Sequence, residues 1–89
     1  MKMFVCAVFD RKINAYMLPQ CFRTKGEATR AWMDAVAQEG APFRRHAEDY
    51  FFAFLGYYDD NEGRFENWQN VPEILMTATD CLTIDNAVN

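Results

Sequence analysis

Six of the nine residues from Tyr50 to Tyr58 are aromatic: Tyr50, Phe51, Phe52, Phe54, Tyr57 and Tyr58. A strand sends successive side chains to opposite faces of its sheet. One regular strand therefore puts Tyr50, Phe52, Phe54 and Tyr58 on one face and Phe51, Ala53, Leu55 and Tyr57 on the other. Both faces are apolar, the pattern of a strand covered on two sides. A chain of 89 residues buries only about two-thirds of its unfolded surface. Whatever covers the second face is the constraint this chain must meet.

The rest of the chain predicts one helix to cover the first. Residues 3–9 read as a strand through Phe4, Val5, Val8 and Phe9, and residues 15–23 as its hairpin partner. Pro19 lacks a ladder donor and marks that partner as an edge strand or a bulged one. Thr24-Lys25-Gly26-Glu27 is a capping box. A helix over about residues 25–38 follows, with Ala28, Ala31, Trp32, Ala35 and Val36 on one stripe. Gly40 and Pro42 stop it. Residues 41–49 read as a loop. Asp59-Asp60-Asn61-Glu62-Gly63 reads as a turn between 50–58 and a strand over 64–68. Residues 74–79 read as a last short strand. The fold class is thus α+β, an antiparallel β-β-α-β-β(-β) sheet with one helix packed on one face. It forms a single domain over residues 1–80, with residues 81–89 a tail expected to fray. The helix is assigned to the Phe51, Ala53, Leu55 and Tyr57 side. Tyr50, Phe52, Phe54 and Tyr58 are then the face in need of a partner, and a homodimer is one way to supply it.

Charge and cysteine usage narrow the function classes. The net charge is −4, which disfavours generic nucleic-acid binding. Eight of the nine Lys and Arg residues lie in residues 1–45, and nine of the thirteen acids in residues 46–89, so a basic patch on an acidic protein is expected. Cys6, Cys21 and Cys81 are an odd number without short spacing, which argues against a disulfide framework or zinc site and for a reducing cytoplasm. No apolar run reaches the ~18–20 residues of a membrane span.

No residue set spells out catalysis. His46 with Glu48 or Asp49 could form an acid–base dyad, but the chain has no serine and no cysteine near His46, so His46 is read as a loop residue. Asp59, Asp60, Asn61 and Glu62 fail the spacing of a calcium loop. No enzyme activity, metal or cofactor is expected. Phe52-Ala53-Phe54-Leu55-Gly56-Tyr57 resembles the back half of the aromatic signature of RRM domains. The front half is missing, because Tyr50-Phe51 stands where a basic residue and Gly belong. An uncovered aromatic sheet face still stacks single-stranded bases. Phe52 and Phe54 are then candidate nucleic-acid contacts, with Arg11, Lys12, Arg23, Arg44 and Arg45 meeting phosphates. The competing reading makes Tyr50, Phe52, Phe54 and Tyr58 a dimer interface.

Several blocks together resemble a known family. They are Phe4-Val5-Cys6-Ala7-Val8-Phe9-Asp10, Ala15-Tyr16, Phe22-Arg23-Thr24-Lys25-Gly26-Glu27-Ala28-Thr29-Arg30, Phe43, His46-Ala47-Glu48-Asp49-Tyr50 and Gly56-Tyr57-Tyr58-Asp59-Asp60 with Gly63. Their order resembles the small nonstructural protein of gokushovirus-type Microviridae, phages with single-stranded DNA genomes. The family usually has Pro where Ala47 stands, and a Pro-Pro where Pro19 stands alone. The resemblance implies a non-enzymatic DNA-binding accessory to genome synthesis or packaging, outside the virion and in the cytoplasm of the infected host. It brings no catalytic residues. An oligomeric adaptor for phage replication, assembly or host proteins, without DNA contact, is the alternative.

Overall fold

The computed structural model describes residues 1–88, with residues 85–88 described by their backbone alone. Two long strands rich in β-branched and aromatic residues form its centre. β1 (Lys2–Asp10) and β4 (Tyr50–Asp59) run antiparallel along their whole lengths, from Lys2 opposite Asp59 to Asp10 opposite Tyr50. Each carries a broken edge strand. β2 (Ala15–Tyr16) and β3 (Gln20–Phe22) pair with β1, while β5 (Arg64–Asn67) and β6 (Glu73–Thr77) pair with β4. All the pairings are antiparallel, so six strands fill four positions. The first edge breaks at Met17–Pro19, as Pro19 predicts. The second breaks over residues 68–72, where Gln69 takes a φ of +40°.

α1 (Lys25–Ala37) begins where the capping box predicts: the Glu27 amide donates to Thr24 Oγ1 at 3.0 Å. The Glu27 carboxylate pairs instead with Arg23 at 3.4 Å. Pro42 opens the short helix α2 (Pro42–Arg45), where its missing N–H costs nothing. A 3-10 turn, Ala47–Asp49, then leads into β4. The region expected to be a loop is therefore two short helical pieces. After β6 the chain turns directly into α3 (Ala78–Val88), so helix occupies the segment expected to fray. Residue 89 of that tail lies outside the described residues. The Asp80 amide donates to Thr77 Oγ1 at 3.0 Å and the Thr77 amide to Asp80 Oδ2 at 3.2 Å, a reciprocal cap.

The helices cover the face opposite to the one expected. Cys6, Phe22, Phe52 and Phe54 from the sheet meet Ala28, Trp32 and Val36 of α1, and Ala78 and Cys81 of α3. The Trp32 and Phe52 rings stack at 5.5 Å with 9° between planes. Phe54 is 0% exposed. The alternation of β4 also breaks at Leu55. Val5 pairs with Gly56 and Cys6 with Phe54, which leaves Leu55 as an extra residue, a β-bulge. Past it, Tyr57 returns to the side of Phe54, with ring centroids 5.2 Å apart. Tyr58 swings to the other side and packs on Phe65 at 4.9 Å.

Candidate functional site

Register places Met3, Val5, Ala7, Phe9, Tyr16, Phe51, Ala53, Tyr58, Phe65 and Ile74 on the face away from the helices. Apart from the small floor residues Val5, Ala7 and Ala53, these side chains remain accessible, and none of them belongs to the core cluster. The shortest dimension of the molecule, 21 Å, is that of two layers. Rings standing around the floor bury it, without a second layer. Phe65 is 73% exposed and Ile74 56%, so this apolar face is the uncovered one.

Chemistry varies along the face. At the end by the β1–β2 turn, Phe9 stacks on Phe51 at 4.9 Å, and Tyr16 meets both edge-on, at 4.9 and 6.3 Å. The Arg11 guanidinium lies 5.8 Å from the Phe51 ring centroid, in cation–π range. The Arg11 amide donates to the Asp49 carbonyl at 2.8 Å, which ties this turn to the start of β4. Arg11 and Lys12 form no ion pair among the described residues. At the far end the cations are engaged. The Met1 ammonium sits 2.7 Å from Asp60, Lys2 2.9 Å from Glu66 and Arg64 3.9 Å from Glu62.

The candidate residues named from sequence separate accordingly. Phe52 and Phe54 are core and cannot stack bases or meet a second subunit. Tyr50 is not at an interface either: it lies on the helical side, edge-on to Phe43 at 5.0 Å. Burial raises its phenol above the ordinary range, with Asp10 and Asp49 adding to the effect. Of the proposed interface set, Tyr58 alone reaches the open face, because of the bulge. Of the basic set, Arg11 and Lys12 flank that face. Arg23 is paired with Glu27 at the start of α1. Arg44 donates to the Ala37 carbonyl at 3.0 Å and so caps α1, and Arg45 stands beside it on α2. Sequence reading missed Phe9, Tyr16, Phe51 and Phe65. The odd-numbered side of the same strand carried the signal for Phe51.

Two other features lie off this face. An apolar cavity of about 280 Å³ opens between α1 and the gap at Met17–Pro19, lined by Cys6, Val8, Leu18, Trp32, Phe43 and Phe52 among others. Trp32 Nε1 is buried without a hydrogen-bond partner. On the 3-10 turn, ligand atoms of His46, Glu48 and Asp49 lie within 4.8 Å of one another. No helix among the described residues is long and apolar enough to cross a membrane.

The sequence profile described as Phage ORF5 protein matches residues 3–81. The chain is 32% identical over 69 residues to Protein ORF5 of Chlamydia phage 1, spanning 73% of this chain and 72% of that relative. No solved structure matches the chain.

Proposed function

The chain belongs to the phage ORF5 protein family, and on that footing we propose that it is a non-enzymatic accessory that binds single-stranded DNA through the open face of its sheet. It would serve genome synthesis or packaging in the cytoplasm of the infected host, outside the virion. One observation carries the reading: the Phe9, Phe51 and Tyr16 rings share a helix-free face with Arg11, which forms no ion pair with a carboxylate among the described residues. Base stacking on such rings contributes about 1–3 kcal/mol per base without sequence preference. Arg11 and Lys12 supply the phosphate contacts. The acidic far end keeps the footprint short and the affinity modest.

The cation-poor half of the face favours a second occupant. Tyr58, Phe65 and Ile74 offer apolar area where the cations Met1, Lys2 and Arg64 are already paired with acids. This suits a second copy of the chain as homodimer partner, or a phage or host protein. DNA and a second copy would share one face and so exclude each other.

Titration of a fluorescent oligothymidine at two salt concentrations tests the reading. Two phosphate contacts on a single strand give a log–log salt slope of roughly −1.4, so about sevenfold weaker binding from 50 to 200 mM salt. Arg11→Ala should halve that slope. Phe51→Ala should weaken binding by about fivefold or more, while Arg44→Ala with Arg45→Ala should weaken it less than Arg11→Ala alone. Binding that ignores salt and both Arg11 and Phe51 would remove the open face from the mechanism.

A further inference from the structure

We propose that His46, Glu48 and Asp49 form a binding site for one divalent transition-metal ion. One imidazole nitrogen and two carboxylates are a donor set of the zinc and manganese kind; an imidazole is not a donor for calcium or magnesium. The ligand atoms lie within 4.8 Å of one another. Metal–ligand bonds of about 2.0–2.2 Å would place them roughly 3.3 Å apart. That contraction needs only side-chain torsions, and His46 and Glu48 are exposed and free to make them.

The turn that carries them is fixed from outside the triad. Ala47 is buried against the core at 8% exposure, and the Asp49 carbonyl accepts from the Arg11 amide at 2.8 Å. The three side chains themselves are uncommitted. None makes a hydrogen bond or ion pair among the described residues. The Arg11 guanidinium lies over the Phe51 ring and Arg44 donates to the Ala37 carbonyl, and no ion pair among the described residues joins Arg45, next to His46, to the three. Two adjacent carboxylates and an imidazole thus lie together, with no ion pair to a protein cation among the described residues. Three protein ligands leave coordination positions for water or an exogenous oxygen donor.

Manganese(II) is the first probe, because it disregards thiols and its free and bound forms differ in electron paramagnetic resonance. The expected result is one Mn²⁺ bound per chain, and one Zn²⁺ by calorimetry in a Cys21→Ser background. His46→Ala and Glu48→Gln should each weaken both by tenfold or more with the circular dichroism spectrum unchanged. Absence of binding at millimolar metal overturns the proposal. So does binding that both variants leave intact, or zinc binding that disappears with Cys21→Ser.

Discussion

A Cβ built at Gly56 would stand 2.0 Å from the Glu66 carbonyl oxygen, and its φ of +157° is one that side chains rarely adopt. Gly56 adjoins the bulge, and the bulge decides which ring reaches which face of β4. Gly56→Ala therefore strains the backbone and pushes β5 away, at a cost of at least about 2 kcal/mol. Urea denaturation should show this as a lower midpoint. The residue inserted at the bulge, Leu55, explains why Tyr57 shares a face with Phe54 and Tyr58 with Phe51, against simple alternation. A period of two carries no mark of an inserted residue, and Gly56 was the sole hint. Cys6 offers a second test at this scale. Burial pushes its thiol up from an ordinary 9.0 to about 11. The folded chain then keeps a proton that the unfolded chain gives up. Stability is untouched below about pH 9 and falls as pH climbs toward 11, by roughly 2–3 kcal/mol. Denaturation at about pH 8 and about pH 10.5 should show the loss, and Cys6→Ala should flatten it.

The elements were legible where the signal was local. The Thr24 cap, the α1 stripe through Ala28, Trp32 and Val36, and the edge break at Pro19 all stand where the sequence puts them. Two things failed for physical reasons. Thr77-Ala78-Thr79-Asp80 is itself a capping signal, but β-branched neighbours gave the segment a strand-like look, so α3 went unread. The side on which α1 packs cannot be read from β4, since both its faces are apolar. It depends on the Trp32–Phe52 stack, a tertiary contact. The open-face candidates then inherited the wrong side, and Phe52 and Phe54 were named in place of Phe51. Paired substitutions make the assignment measurable. Phe54→Ala empties a fully buried site and should cost about 3–5 kcal/mol. Phe51→Ala removes a ring from the open face and should cost roughly 1 kcal/mol. Equal costs would contradict the layer order.

At the scale of the molecule, two layers leave one sheet face for something else. Four strand positions about 4.8 Å apart and nine residues at about 3.3 Å make that face roughly 570 Å². Two copies pressed together would hide about 1,100 Å², just under the range of specific, stable interfaces. A like net charge of −4 on each copy weakens the pair further at low salt. Self-association through this face should then be weak enough for DNA to displace. Light scattering should give a mass that climbs from one chain toward two as concentration rises. Phe65→Lys with Ile74→Lys should hold it at one chain without lowering thermal stability, because neither side chain belongs to the core. Adding oligothymidine should bring the wild-type mass down to one chain plus one oligonucleotide. A complex of two chains on one oligonucleotide would mean that DNA and the second copy use different surfaces. The rings at Phe9, Tyr16 and Phe51 would then have to be assigned to one partner or the other by their own substitutions.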